Sequence, residues 1–331
     1  MQIAFSSLLE CLGPESRANR LAFLEEEPRI DQGQSTPERD AEIVESGRAV
    51  GDSISCHPAP KSSFGIFVDG VEHSATAAWY LGLPLRLAQV AAAAVLRDEE
   101  GEMREVVAEE RQITLLYPNS VDAETEQRLH AFCNDAGIRP LPVALRQGEQ
   151  DWGIALQKHV QAVRGDLECT VLHEASPRAS EKCWILADGR CPEPKTAPTK
   201  YVVGLVKSHL LPYFKDELYR SWVLNLPEGH RTPVFCATRE EEGARKTYSW
   251  YLRLHESPDG PPWFGLVRLE MNDLDMALAR VDEITAWVLA ERAPLSLPDS
   301  RYDRLLYPVR YIEQYLRSRL RSRWDLQALI G

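Results

Sequence analysis

Two apolar runs of this chain each lead into an aspartate followed by a glycine, at residues 64–70 and 183–189. Four or five apolar residues before a turn signal predict a buried strand, so each aspartate should lie at the rim of a sheet. Two such carboxylates, Asp69 and Asp188, could together bind a divalent metal ion if a central sheet brings them close. Taken singly, each Asp-Gly pair is also typical of an ordinary turn.

Two more residues could complete this chemistry. Glu168 lies beside the apolar seam of a helix predicted at 154–175, directly before the second strand, and could face the same rim. Lys207 ends a strand predicted at 201–207, where it could neutralise charge on a phosphate. The alternatives are a surface glutamate and a strand-end lysine that simply reaches solvent.

His209 and Glu270 are weaker candidates. His209 could be a metal ligand or a proton shuttle, although such a histidine is more often a loop residue. Strict alternation along a strand predicts that Arg268 and Glu270 share one face, where an ion pair is favoured over catalysis.

The charge of the chain limits the partners it could have. Its 331 residues carry a formal net charge of −12, which excludes a uniformly basic nucleic-acid-binding coat. A local basic strip near the C-terminus could still follow a phosphate backbone, or it could be a solvated helix face. The strip comprises Arg301, Arg304, Arg310, Arg317, Arg319, Arg321 and Arg323. Arg310 and Arg317 are our candidate nucleic-acid contacts.

Cysteine spacing and hydropathy indicate the compartment. The seven cysteines include no CxxC pair, which argues against a disulfide framework and a structural zinc site. No apolar stretch approaches membrane-spanning length, and acidic residues appear early in the N-terminal segment. We therefore expect a cytoplasmic protein without a membrane segment.

The pattern along the chain predicts an α/β fold with a mixed sheet flanked by helices. Residues 1–62 should comprise a helix reaching to about residue 24 and a mobile linker, and residues 63–331 the main domain. Strands are predicted at 64–69, 86–97, 104–117, 139–145, 183–188, 201–207, 222–226, 248–254 and 263–271. Helices are predicted at 123–136, 154–175, 273–292 and 308–329.

The order of these pieces resembles the NurA nuclease family. The resemblance spans residues 63–323 and is carried by residues 68–70, the helical Glu168 and residues 185–189, 204–208, 268–270 and 306–308. It implies an RNase H-like mixed sheet with extra strands and C-terminal helices. It also implies a manganese-dependent nuclease that trims DNA ends, as a homodimer docked on a hexameric HerA-type translocase, in DNA repair or in defence against foreign DNA.

The chain departs from the family pattern at two positions. Val71 stands where the family has a serine, and Tyr315 stands where its final helix commonly has a histidine. Glu313 is near enough in sequence to replace that histidine as an oxygen ligand.

These observations lead to one hypothesis and two alternatives. Asp69, Glu168 and Asp188 would hold Mn²⁺ or Mg²⁺, and Lys207 would neutralise the phosphate during hydrolysis of a DNA phosphodiester. One alternative is a catalytically weak or inactive adaptor that binds a ring ATPase and DNA. The other is a nuclease acting on RNA.

Overall fold

The structure is a computed structural model. It describes residues 6–19, 41–191, 200–207, 214, 216–239, 245–257, 259–295 and 302–331. His209 and Arg301 lie outside these ranges, so their predicted roles stay predictions.

The described residues form helices and strands in alternating groups. The helices are α1 Leu8–Leu12, α2 Ala123–Ala136, α3 Trp152–Ala175, α4 Glu217–Leu224, α5 Leu274–Glu291, α6 Tyr307–Arg319 and α7 Arg323–Ala328. The strands up to α3 are β1 Ser16–Ala18, β2 Ala41–Ile43, β3 Ile54–Ser55, β4 Phe64–Tyr80, β5 Leu83–Arg97, β6 Met103–Pro118 and β7 Arg139–Val143. The later strands are β8 Trp184–Asp188, β9 Val202–Val206, β10 His230–Arg231, β11 Phe235–Arg239, β12 Arg245–Arg253 and β13 Leu266–Met271.

The strands build one large mixed sheet, as the sequence predicts. Its order is β2-β11-β12-β13-β9-β8-β4-β5-β6-β7, and among the short strands β1 pairs with β4, while β10 pairs with β12 and β3. β4, β5 and β6 form an antiparallel meander, whereas β4, β8 and β9 are mutually parallel neighbours. The carboxyl ends of the three parallel strands therefore point the same way.

Helices cover both faces of the centre of the sheet. On one face α3 packs its apolar residues, such as Val171 and Leu172, against Ile66 and Val68 of β4. On the other face α5 and α6 pack against a cluster that includes Phe67 of β4. Because side chains alternate along a strand, each residue of β4 belongs to one of these two layers.

β4 is longer than its sequence predicts. The strand was expected to end at Asp69, but it continues through Gly70 to Tyr80 because β5 pairs with it along this length. The opposite edge of β4 pairs with β8 only up to Val68 and with β1 only from Ala78. Among the described strands none pairs with that edge from residue 69 to residue 77, which leaves a notch beside Asp69.

The N-terminal part of the chain also differs from expectation. The helix expected up to about residue 24 is limited to α1 within the described residues 6–19, because Gly13 has φ +76° and leads the chain into β1. Residues 20–40, which complete the predicted helix and begin the predicted linker, lie outside the described ranges. Within 41–62, expected to be a linker, β2 pairs with β11 and β3 pairs with β10. Glu45 fixes this segment through two contacts, of 2.9 and 3.0 Å, to the buried Arg231 guanidinium.

Two predicted elements near the C-terminus are wrong. The strand expected at 222–226 falls largely within α4, which begins where Asp216 accepts a hydrogen bond from the Leu218 N–H. The helix expected over 308–329 is broken into α6 and α7. Leu320 has extended backbone angles, and Ser322 starts the next helix with a capping box.

Other elements agree closely with the sequence. α2 spans the predicted residues, and Gly137 ends it in the left-handed region with φ +67°. β12 and β13 overlap the strands predicted at 248–254 and 263–271, and they pair antiparallel. No described helix is long and apolar enough to cross a membrane.

Candidate metal centre

Asp69 and Asp188 occupy matching positions on neighbouring parallel strands. Val68 of β4 pairs with Ala187 of β8, and each aspartate is the next residue. Alternation places both on the layer that contains α5 and α6. Asp69 is only 6% exposed, and its Oδ1 accepts a hydrogen bond of 2.8 Å from the Gly70 N–H. The sheet thus brings together the two carboxylates that the sequence singled out.

Lys207 joins this pair from the third parallel strand. Leu205 of β9 lies opposite Asp188, and Lys207 follows two residues later with the same orientation. Its Nζ is 2.9 Å from Asp188 Oδ1. The predicted neighbourhood of a lysine and a strand-end carboxylate is present in the structure.

Glu168 reaches the same region from the opposite layer. It lies on α3, and its side chain lies over Gly70 of β4. A Cβ atom at position 70 would be 2.9 Å from Glu168 Cγ, closer than real Cβ contacts allow. The glycine of the first Asp-Gly pair therefore permits a close approach of helix and strand and does not make a turn.

Arg164 and Glu72 flank Glu168 and were not identified from the sequence. Arg164 lies one turn before Glu168 on α3, with 3.2 Å between its Nε and Glu168 Oε1. Its Nη1 is 3.6 Å from Glu72 Oε2. The sequence signals were present but unspecific: an arginine four residues before Glu168, and an acid two residues after Gly70 on the same face of β4.

The acids disturb one another electrostatically. Burial raises the pKa of Asp69 well above its ordinary value, the Asp188 charge adds to this, and Lys207 opposes it. Burial also raises the pKa of Glu168 from 4.5 to about 7, with Arg164 opposing and Asp188 adding to the increase. Four carboxylates (Glu72 included) against two cations leave a formal charge of minus two if all are ionised. Burial and this excess together favour the neutral forms of Asp69 and Glu168 in the absence of a further cation.

The carboxylates do not form a ready ligand set in this arrangement. Within the described ranges, no group of three or more His, Cys, Asp or Glu side chains has the arrangement of a metal site. Glu168 approaches from the α3 layer and the two aspartates from the other layer, so the three acids do not share one face of β4. Lys207 and Arg164 are the present counter-charges of Asp188 and Glu168.

The donor chemistry nevertheless suits a hard divalent cation. Carboxylate oxygens are the ligands that Mn²⁺ and Mg²⁺ prefer. Glu72 Oε2 is a buried oxygen for which the described residues supply no hydrogen bond. Asp69, Glu168 and Asp188 are the residues that would hold such an ion, with Glu72 nearby.

Glu270 has a structural role in this arrangement. Its Oε1 lies 2.7 Å from Arg268 Nη2, and both side chains are almost completely buried. Its Oε2 accepts a hydrogen bond from the Cys191 N–H, 3.2 Å away, where the chain leaves the Asp188–Gly189 turn. The ion pair favoured from the sequence is therefore present, and it anchors the segment after the candidate site.

Tyr315 is engaged away from the acids. Its hydroxyl donates a hydrogen bond of 2.5 Å to Glu109 on β6. Glu109 lies opposite Ala93 of β5, which lies opposite Asp69, so Tyr315 is held two strands from that aspartate. The structure does not bring this tyrosine to the position of a metal ligand.

The remaining predicted residues of α6 are at or near the surface. Glu313 pairs with Arg317 one turn later, with 2.8 Å between Oε1 and Nη2. Arg317 is also close enough to His73 of β4 to help lower the pKa of that histidine, after burial as the main cause. Arg310 is half-buried on the same helix. None of these contacts tests the predicted binding of nucleic acid.

Comparison with known proteins gives no assignment: no protein-family model matches the chain, and no curated protein matches it significantly.

Proposed function

We propose that the chain is a metal-dependent nuclease that hydrolyses DNA phosphodiester bonds. The observation that carries this proposal is the side-by-side placement of Asp69 and Asp188 at the notch in β4, with Glu168 over the adjacent Gly70. A divalent cation would favour the ionised forms of these acids, and the positive charge of Lys207 lies 2.9 Å from Asp188 Oδ1.

The proposed roles follow from the side chains. Asp69, Glu168 and Asp188 hold Mn²⁺ or Mg²⁺, which when bound supplies Lewis-acid activation of the phosphate and of the attacking water. Lys207 turns from Asp188 towards a phosphate oxygen and stabilises the charge that develops there. Arg310 and Arg317 follow the phosphate backbone without reading sequence.

The wider proposal rests on the NurA resemblance and on the centre of the sheet. An antiparallel meander, β4 to β6, extended by the parallel strands β8 and β9, supports an RNase H-like fold. A homodimer, a HerA-type hexameric ATPase as partner, a cytoplasmic location and a role in repair or defence belong to the same proposal.

Cleavage of linear DNA in Mn²⁺ tests it. The Asp69→Asn and Asp188→Asn variants should lose at least about 100-fold in rate, because each removes a charged ligand while keeping the side-chain shape. Asp135→Asn is the matched control, since this exposed aspartate lies on α2 away from the centre. Equal cleavage by the wild type and both site variants would exclude the assigned site. No cleavage by the wild type would exclude the activity on this substrate.

A non-catalytic adaptor is the second candidate, and one observation favours it. Asp188 is paired with Lys207 and Glu168 with Arg164, so part of the acid cluster is neutralised by the chain itself. An adaptor should bind DNA or a ring ATPase without any thermal stabilisation by Mn²⁺. A metal-binding nuclease should be stabilised by Mn²⁺, and the Asp188→Asn variant should lose that stabilisation.

A further inference from the structure

We propose that Arg164 is a positioning residue of the proposed metal centre, which keeps the Glu168 carboxylate over Gly70 of β4, within reach of the candidate site. This inference rests on the proposed metal-dependent function. Arg164 is not itself one of the proposed ligands.

The position of Arg164 is fixed by a polar stripe between α3 and β4. On α3 the stripe contains Gln157, Arg164 and Glu168, whose spacings of seven and four place them on one helix face. On β4 it contains Gly70 and Glu72, which alternation places on the face towards α3. A Cβ atom at position 70 would be 3.0 Å from Arg164 Cγ, so the arginine stem lies directly on the strand.

Hydrogen bonds fix two further members of the stripe, Gln157 and Glu72. Gln157 Nε2 donates to Glu72 Oε1 over 2.8 Å, and Gln157 Oε1 accepts from Arg86 Nη1 over 2.9 Å. The same Arg86 nitrogen donates to Ser74 Oγ over 3.0 Å. These bonds fix the amide orientation of Gln157 and the carboxylate of Glu72. Glu72 in turn faces the Arg164 guanidinium.

Arg164 therefore bridges a fixed carboxylate and the candidate ligand. It contacts Glu168 through Nε and Oε1, which leaves the second oxygen of Glu168 for another ligand. Both contacts of Arg164 are ion pairs rather than hydrogen bonds, and its buried Nε has no hydrogen-bond acceptor among the described residues. The bridge thus works through charge and packing.

Packing alone does not require this stripe. α3 already has apolar contacts on the N-terminal side of Arg164, through Leu156, Val160 and Val163, and on the C-terminal side of Glu168, through Val171 and Leu172. Polar groups buried between a helix and a sheet are unfavourable unless they are paired. A cation beside a metal site also repels the metal ion, so Arg164 would weaken binding if it did nothing else. Arg164 can strengthen metal binding by orienting Glu168, and this gain can outweigh the cost of burying polar groups and the repulsion between Arg164 and the metal ion.

Mn²⁺ affinity tests the inference directly, measured by the electron paramagnetic resonance signal of free Mn²⁺ without any substrate. Arg164→Gln should weaken binding about tenfold, as loss of a residue supporting a metal ligand commonly does. Arg164→Lys, which keeps the charge, should recover part of this loss. Arg178→Gln is the control, because Arg178 pairs with Glu105 at the surface beyond the end of α3 and should bind Mn²⁺ like the wild type.

The outcomes separate this inference from the function on which it rests. Unchanged or tighter Mn²⁺ binding by Arg164→Gln would overturn it, since tighter binding is the result that charge repulsion alone predicts. Gln157→Leu changes no charge and should weaken Mn²⁺ several-fold by releasing Glu72. If Arg164→Gln fails to fold, Gln157→Leu serves as the test, and unchanged Mn²⁺ binding by Gln157→Leu would overturn the inference. A wild-type protein that binds no Mn²⁺ would refute the metal-dependent function itself.

Discussion

Gly70 of β4 lies directly beneath Glu168 of α3. A side chain at position 70 would overlap the Glu168 carboxylate and would stand 2.9 Å from its Cγ. The second Asp-Gly pair differs, because Gly189 has φ +96° and makes the turn that a glycine favours. The two similar motifs therefore use glycine for different physical reasons, and only the first depends on the absence of a Cβ atom next to Glu168.

Gly70→Ala should displace Glu168 and reduce metal binding. The added methyl group meets Glu168 and the Arg164 stem, so both side chains must move away from β4. We expect the fold to remain, because strand backbone angles accept alanine, while Mn²⁺ affinity and DNA cleavage each fall at least about tenfold. Calorimetric Mn²⁺ titration and a cleavage assay would measure the two losses.

Gly165→Ala is the matched control for that substitution. Gly165 lies within α3, between Arg164 and Glu168, and no atom lies within 4 Å of a Cβ placed there. Alanine is the better helix former, so this variant should gain about 0.5–1 kcal/mol of stability and keep its Mn²⁺ affinity. If both glycine variants bind Mn²⁺ like the wild type, Glu168 has no part in the metal centre.

Glu168 should make the metal-free protein less stable as the pH rises. Its pKa is about 7 in the folded chain against an ordinary value of 4.5. Between those values the unfolded chain has lost this proton and the folded chain retains it, so stability falls with rising pH. The shift corresponds to about 3 kcal/mol. Urea unfolding in chelator at pH 4.5 and pH 7.5 should show this decrease.

Glu168→Gln removes the titrating group and keeps its shape. In chelator this variant should be more stable than the wild type at pH 7.5, and its stability should change less between the two pH values. An identical pH dependence of the two proteins would show that Glu168 is not the group responsible.

Much of the fold follows from the sequence because periodicity and capping residues are local signals. Helix α2 and the strands β5 and β6, each close to its predicted range, are examples. The length of β4 could not be predicted from its own residues, because the strand continues past Gly70 by pairing with β5. The strand expected at 222–226 is helical in α4, because the Asp216 cap starts a helix that the short apolar run does not reveal.

The candidate site likewise contains residues that could be predicted from the sequence and residues that could not. Asp69, Asp188 and Lys207 were predictable because each follows an apolar run that forms a buried strand segment, and the parallel register then brings them together. Glu72 and Arg164 were not predictable, because they lie on different elements and contact each other only where α3 packs on β4. The sequence does not show which face of β4 that helix covers. The sequence also gave no sign that Glu168 approaches from the opposite layer.

Lys207→Gln should separate metal binding from catalysis. Lys207 lies 2.9 Å from Asp188, so its removal takes away a competing cation and should tighten Mn²⁺ binding several-fold. DNA cleavage should nevertheless fall by about 100-fold, because the charge that stabilises the phosphate is lost. Lys200→Gln is the control, since this exposed lysine precedes β9 and lies over the Tyr201 ring. Cleavage that persists at the wild-type rate in Lys207→Gln would remove this lysine from the mechanism.

Glu45→Gln should destabilise the fold without affecting the metal centre. Arg231 is 1% exposed, and the Glu45 carboxylate meets its Nη1 and Nη2 at 2.9 and 3.0 Å. Loss of that charge leaves a buried guanidinium with Asp282 as its remaining carboxylate partner among the described contacts, at a cost of about 3 kcal/mol. Asp282→Asn is the comparison: its side chain is 72% exposed, so it should cost less than about 1 kcal/mol. Urea unfolding measures both, and Mn²⁺ affinity should not change in either variant. Equal midpoints for Glu45→Gln and the wild type would mean that Glu45 does not tie residues 41–45 to the sheet.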